Sequence, residues 1–467
     1  MKTEVMNKNL VASQSAAAPP QHTQLPPGPR SRLGMSSAIS FARDPLGYFC
    51  RVAKDYGDLV TIPFLGQQFF LANHPDLIEE VLVKQNQAFI KDKMLREYAK
   101  PVFGRGLLSS DGEFWLAQRR LAQPAFHRSR IAAYSETMTT FTERALATWH
   151  DGEVRDTHAD MMHLTLEVVA KTLFNTDAAA EATAIGAALD AIMVRFDNQD
   201  LLMVLEQATG ITLPTAKLRR YQAGVRNLDA IVFQLINERR AHPADTGDLL
   251  SMLLAARDEE GNGMNDQQLR DESVTIFLAG HETTALSLSW TWYLLAQHPE
   301  VAATLHAELQ QVLDGRTPTL ADLPALRYTE QVIQESMRLY PPAWAIQRET
   351  TRDVELGGYL IPKGSDVLMS QYVMHRDPRY FDQPERFYPA RWANDFAKTL
   401  PKYAYFPFGG GPRLCIGVSF AMMEAVLMLA TIAQQFELTL VPGQRIVPQP
   451  SITMRPKYGL QMRVRKR

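Results

Sequence analysis

Cysteine is nearly absent: Cys50 and Cys415 are the only two in 467 residues. So few exclude a disulfide scaffold, and no Cys-x-x-Cys pair is available for a zinc site. Neither sign of charge is in surplus. A net charge of −2 argues against nucleic acid as the main partner, because binding phosphates needs an excess of Lys and Arg. The N-terminus lacks a signal-peptide core and any apolar run of about 18 residues, which sets the expectation of no membrane anchor and a cytoplasmic location. Residues 1–30 form instead a polar, Ala/Pro-rich lead-in read as disordered, ending in the stiff Leu25-Pro26-Pro27-Gly28-Pro29-Arg30. Internal repeats and flexible linkers are missing too. A chain of this length suggests two or three domains, yet nothing interrupts 31–467, which is read as one.

Helical periodicity is what the chain has in abundance. It starts at Asp44-Pro45 and runs to Tyr56, with proline suited to a first turn. Leu59–Phe64 and Gln68–Ala72 around Leu65-Gly66 read as a short β-hairpin. Helices are expected near 75–84, 113–126, 130–149, 157–175, 183–207, 215–241, 266–297, 298–313 and 326–339. β-like pieces return at 353–372 and 435–465, so the fold class is mainly α with a small β portion from both ends.

Phe408-Gly409-Gly410-Gly411-Pro412-Arg413-Leu414-Cys415-Ile416-Gly417 breaks this pattern. Consecutive glycines and a proline force a tight turn, and the apolar run from Val418 to Ala430 reads as a buried helix. Cys415 then sits just before a helix N-terminus, where free N–H groups and the helix dipole favour thiolate over thiol. A buried thiolate is costly without a partner, which points to a metal. A lone cysteine is more often a small buried hydrophobe, but its surroundings argue otherwise.

Phe408, Gly411, Arg413, Cys415 and Gly417 fill every fixed position of Phe-x-x-Gly-x-Arg-x-Cys-x-Gly, and this stretch resembles the haem-binding signature of the cytochrome P-450 family. The resemblance implies a triangular, helix-rich single domain. It places haem b (iron protoporphyrin IX) between the oxygen-handling helix and the cysteine-loop helix. Cys415 would be the proximal thiolate ligand of the iron, favouring O–O cleavage.

Other motifs follow in the family's order. Ala279-Gly280-His281-Glu282-Thr283-Thr284, in a largely apolar helix opened by the capping pair Asn265 and Gln268, resembles the family's acid–alcohol motif. By that resemblance Thr283 hydrogen-bonds bound dioxygen or a water, Glu282 relays protons, and Ala279 and Gly280 let the cofactor approach the helix. A structural reading has Thr283 bonded back within its helix and Glu282 salt-bridged. Glu335 and Arg338, on one helix face, match a Glu-x-x-Arg motif whose third, structural partner is Arg391 in Pro389-Ala390-Arg391-Trp392. Trp115 and Arg119, with Arg348 and Arg413, match residues used for haem propionates, Phe408 joins the cofactor set, and His375 fits a family pattern as a structural histidine.

The implied reaction inserts one atom of O₂ into a hydrophobic small molecule: a fatty acid, terpenoid or steroid. The substrate pocket would draw on Leu107, Leu108, region 190–210, Ala279, Ala343 to Ile346, and Ile452, with Asp197 to Asp200 as a source of polarity or a solvated turn. No flavin or ferredoxin module follows the last β segment. Electrons are therefore expected from a separate ferredoxin or flavodoxin with its reductase, docking near Arg120, Arg128 and Arg130, on a monomer. An isomerase, dehydratase or haem-binding sensor of the same fold would keep Cys415 but tolerate loss of Thr283. A helical interaction protein without cofactor would leave all the motifs to coincidence.

Overall fold

The structure, a computed structural model, describes residues 25–31, 34–175, 179–196, 213–242 and 247–467. The helices that frame the site are α1 (Pro45–Tyr56), α2 (Gly112–Ala122), α3 (Thr157–Phe174), α4 (Ala179–Met193), α5 (Ala216–Ala241), α6 (Asp266–Gln297), α7 (Arg327–Leu339) and α8 (Val418–Gln435). Strands β1 (Leu59–Phe64), β2 (Gln67–Ala72) and β3 (Phe89–Lys91) come early, followed by β4 (Val154–Asp156). The later ones are β5 (Ile346–Thr350), β6 (Val354–Leu356), β7 (Tyr359–Ile361), β8 (Asp366–Met369), β9 (Phe436–Leu440), β10 (Pro448–Pro450), β11 (Met454–Pro456) and β12 (Gln461–Lys466).

The largest sheet has the order β1-β2-β8-β5-β3 and so ties the N-terminal hairpin to strands nearly three hundred residues later. A three-stranded sheet, β4-β12-β9, closes the C-terminal end. Between them α6 is nearly all buried, from Leu269 to Leu295, and packs on α3, α7 and α8. Its start is the predicted capping box: Asn265 Oδ1 accepts from the Gln268 N–H and Gln268 Oε1 from the Asn265 N–H. By length and composition α8 is apolar enough to cross a membrane, but most of it is buried in the core, where it packs on α6 and α7.

Where the structure departs from the sequence pattern, tertiary contacts decide. The helix expected over 130–149 breaks at Tyr134, whose ring meets Phe420 edge-on and whose hydroxyl donates to Gly247 O. The helix expected over 183–207 begins earlier, at Ala179, and gives way to a 3-10 turn at Val194–Phe196; positions 197–212, with the polar run Asp197 to Asp200, lie outside the described residues. A helix at Leu249–Ala255, capped by Asp248 accepting from the Ser251 N–H, has no counterpart in the sequence reading. The β portion near 353 begins sooner, at Ile346, because β5 is paired on both edges, by β8 and β3.

Candidate functional site

A cavity of about 750 Å³ lies among α6, α7, the large sheet and the loop 407–417. The loop's shape is dictated by its glycines. Gly409 and Gly411 have φ of 72° and 66°, and a Cβ on Gly411 would lie 2.1 Å from the Leu82 carbonyl oxygen. Gly410 is just as tight against Tyr403, whose ring carbon would be 2.1 Å from an added Cβ. The turn closes where the Cys415 N–H donates to Phe408 O at 3.1 Å.

Cys415 lines the cavity, and its accessible surface faces that space. Burial pushes its thiol up, while the Gly417 N–H and the Arg119 charge pull the other way. Desolvation is the largest of these influences, in keeping with the cost of a buried thiolate that has no partner, and a cation in the cavity would act against it.

Arg119, Arg348, Arg413 and Trp115 all reach the cavity, as the motifs imply. The Arg413 guanidinium lies over the Trp115 ring, 4.2 Å from its centroid, and donates to Ser110 O at 3.0 Å and to Asp111. Arg348 is buried, and the loss of solvent with Arg413 nearby lowers it to about 10. A fourth basic residue, Lys91, carries no motif. Strand register puts it there: Lys91 pairs with Arg348 across β3 and β5, and burial plus Arg348 and Arg413 hold its ammonium well below the usual range. Three arginines and a lysine against Asp92 and Asp111, beside a thiol and a glycine cradle, fit a flat dianionic metal macrocycle, whose negative charge would favour the ammonium of Lys91.

On the other side, α6 runs through Gly280 without interruption, and a Cβ there would meet nothing closer than Val169 at 3.5 Å. Protein packing therefore does not require this glycine; space toward the cavity is what it leaves open. Thr283 Oγ1 donates to Ala279 O at 2.6 Å, so its lone pairs stay available. Glu282 is buried, and its Oε1 accepts from Thr453 Oγ1 and Arg455 Nε. Burial pushes that carboxyl up, but Arg455 and Thr453 more than offset it, leaving it below its ordinary value. The back-bonding and ion pair of the structural reading are thus both present, on residues that also line the cavity.

Glu335, Arg338 and Arg391 come together as expected. Arg338 Nε and Nη2 each meet Glu335 at 2.9 Å, and Arg391 Nε lies 3.1 Å from Glu335 Oε1. Trp392, a departure from the motif's variable position, adds an indole N–H to Glu335 Oε2 at 2.9 Å. Arg338 continues to the His375 carbonyl, and His375 Nε2 accepts from the Phe406 N–H at 2.9 Å, which ties the network to the start of the cysteine loop. His375 is structural, as its pattern suggested.

Leu107, Leu108, Ala343, Ile346 and Ile452 all line the cavity with Ala279, Gly280 and Phe408. Of region 190–210, Met193 reaches it among the described residues. Arg120 and Arg130 are exposed, while the side chain of Arg128 lies outside the described residues.

Among the buried acids that the sequence reading did not mark is Glu424, on α8. It is fully buried beside Thr284 of α6, and neither group has a partner at full hydrogen-bond geometry among the described residues. Burial pushes its carboxyl up to about 8, against a weaker pull from Thr284. Unfolding returns it to about 4.5, so between these values the folded chain holds a proton that the unfolded chain has lost. The stability that this proton confers is complete below the lower value and is lost as pH rises through the higher. Glu424→Gln, neutral throughout, is therefore expected to gain on wild type by about 2–4 kcal/mol between pH 5 and 8 in denaturant unfolding. A parallel pH dependence for the two proteins would refute this.

The fold and this cavity define a helix-rich haem-thiolate architecture, and comparison with known proteins agrees. The chain is similar in structure to the retinoic acid-bound cyanobacterial CYP120A1, with a TM-score of 0.83, 25% identity, and coverage of 95% of this chain and 99% of that one. The sequence model of the cytochrome P450 family matches residues 26–463. Cyclooctatin synthase of Streptomyces melanosporofaciens is 40% identical over 95% of each chain. Cyclooctat-9-en-7-ol 5-monooxygenase of the same organism is 39% identical over 93% of this chain and 94% of its own. Pentalenene oxygenase of Streptomyces avermitilis is 35% identical over 92% and 95%. The chain belongs to the cytochrome P450 family. It is a haem-thiolate monooxygenase, an oxidoreductase that incorporates oxygen from O₂ into a hydrophobic small molecule with electrons from a redox partner.

Proposed function

We propose that this chain hydroxylates a polycyclic terpenoid. The observation that carries this reading is a cavity walled by Leu107, Leu108, Ala343, Ile346 and Ile452 that also meets Thr283 and Cys415. Such walls suit a rigid apolar skeleton, and the similarity to terpenoid-oxidising enzymes supports the choice over fatty acids and steroids.

In this reading the cofactor is haem b, which when bound supplies the activation of O₂, one oxygen atom entering the substrate and the other leaving as water. Cys415 is its thiolate ligand, with Phe408 beside the loop. Trp115, Arg119, Arg348 and Arg413, joined by Lys91, hold its propionates. Ala279 and Gly280 give it room against α6. Thr283 moves a proton at Oγ1 by leaving the Ala279 carbonyl, and Glu282 resupplies it. Electrons come from a separate ferredoxin or flavodoxin with its reductase, docking near Arg120, Arg128 and Arg130. The working unit is a cytoplasmic monomer with residues 31–467 as one haem domain after a lead-in. Thr283 and Glu282 side by side on α6 favour this over the isomerase, dehydratase or sensor alternative, which needs no proton supply to oxygen.

The test is a panel of terpenoids, fatty acids and steroids added to the haem-loaded protein, followed by product analysis of the compounds that shift its absorption spectrum. A terpenoid is expected to be converted to an alcohol. In Thr283→Ala, product per reducing equivalent should fall by about tenfold or more, with hydrogen peroxide in its place. Unchanged coupling would remove Thr283 from the proton path, and conversion of fatty acids alone would overturn the terpenoid assignment.

A further inference from the structure

The acid on α6 is held by residues that no motif marks. The C-terminal hairpin pairs β10 with β11, Pro450 opposite Met454, and its turn is pinned from three sides. Trp344 Nε1 donates to Ser451 O at 2.7 Å, Trp290 Nε1 to Met454 O at 2.9 Å, and the Met454 N–H to Pro342 O at 2.9 Å. Ser451, Ile452 and Thr453 line the cavity, while Thr453 and Arg455 both donate to Glu282 Oε1. Arg455 is the more accessible partner of the ion pair: its side chain is 25% exposed, against 6% for Glu282.

We propose that Thr453 and Arg455 are positioning residues for Glu282, holding its carboxylate toward the C-terminal hairpin and making the solvent-exposed flank of Arg455 the port through which protons enter. The inference rests on the reading of Glu282 as the acid that resupplies Thr283. A proton from bulk water is taken up at Oε2, since both clamping bonds fall on Oε1, and is passed inward, returning the carboxylate to the clamp. The other titratable groups nearby do not compete. His281 is bonded to Met162 O and His158 to Ser289, and burial lowers each to about 4, so both are neutral near pH 7. Asp156 is committed to the N–H groups of His158, Ala159 and Leu460.

The rigidity of the turn gives the clamp its effect. Because Trp344, Trp290 and Pro342 fix the backbone, Thr453 and Arg455 present a preset pair of donors and need little ordering when Glu282 ionises. Removing the guanidinium leaves a buried carboxylate with one hydroxyl, and such a group protonates instead.

The experiment uses the haem-loaded full chain with glutamate labelled at its side-chain carboxyl. Infrared spectra are recorded across pH, and the Glu282 band is assigned by its loss in Glu282→Gln. Wild type is expected to keep the ionised band to below the ordinary carboxylate range. In Arg455→Ala the protonated band should appear at higher pH than in wild type, its midpoint moved up by at least about one pH unit, a tenfold change in proton affinity. Thr453→Val should move it the same way by less, and Arg455→Lys should restore most of the ionised band. Thr453→Val keeps the test open if Arg455→Ala does not fold. A Glu282 band unmoved in Thr453→Val, and in Arg455→Ala where it folds, overturns the proposal. The role of Glu282 as acid is read separately, by product per reducing equivalent in Glu282→Gln. If that yield is unchanged while the infrared band still moves, Arg455 positions the carboxylate but the proton port is refuted.

Discussion

Cys415→Ser is expected to abolish the red-shifted, thiolate-type absorption band of the reduced, carbon monoxide-treated protein. Oxidation turnover should fall by more than about a hundredfold, beyond the cost of losing an outer partner of a metal ligand. The substitution exchanges sulfur for oxygen at almost constant volume. The backbone that shapes the loop does not depend on sulfur: the Cys415 N–H bond to Phe408 O and the left-handed Gly409 and Gly411 remain. What changes is the donor. A serine hydroxyl ionises far less readily than a thiol, and burial here already opposes ionisation of the thiol. The iron would lose the electron-rich sulfur that sets the family's chemistry. Circular dichroism should stay that of wild type, separating loss of ligation from loss of fold. A serine variant with the thiolate-type band would show that Cys415 is not the ligand.

The second large effect is on stability. Glu335→Ala removes the acceptor at the centre of a network in which Glu335 and Arg338 are both fully buried. Arg338 would be left with carbonyl partners and no counter-charge, Arg391 and Trp392 would each lose a bond, and the Tyr388 N–H would lose its acceptor at 3.0 Å. Breaking a buried pair on one side costs about 3–5 kcal/mol, a large share of the net stability of about 5–15 kcal/mol of a folded domain. The variant should unfold at markedly lower denaturant and lose haem on purification, because the network reaches the cysteine loop through His375 and Phe406. Arg391→Ala should cost less, since Arg338 and Glu335 keep each other. Equal midpoints for Glu335→Ala and wild type would mean that the network adds nothing to stability.

Much of the site was legible because its chemistry is written in short, contiguous stretches. A thiol ligand needs a turn of fixed shape, so Gly409, Gly411 and Cys415 sit within seven positions. An alcohol and an acid on one helix need adjacent places, so Glu282 and Thr283 are neighbours. The i, i+3 spacing of Glu335 and Arg338 likewise follows from helix geometry. Lys91, Glu424 and Arg455 were not legible. Each acts through a partner far away in the chain: Arg348 across a strand pair, Thr284 across two helices, Glu282 from the last hairpin. No local periodicity encodes such meetings.

The sequence by itself determined the class of fold, the loop that carries Cys415, the adjacent Glu282 and Thr283, and the arginines that line the cavity. These depend on backbone conformation and on spacing along one element, which the residues settle locally. Only the tertiary structure decided that burial raises the Cys415 thiol, that Lys91 lies beside Arg348, and that Glu282 is clamped from the C-terminal hairpin. The reason is physical: desolvation and charge pairing depend on what surrounds a group in space, and that surrounding comes into being only when distant segments pack.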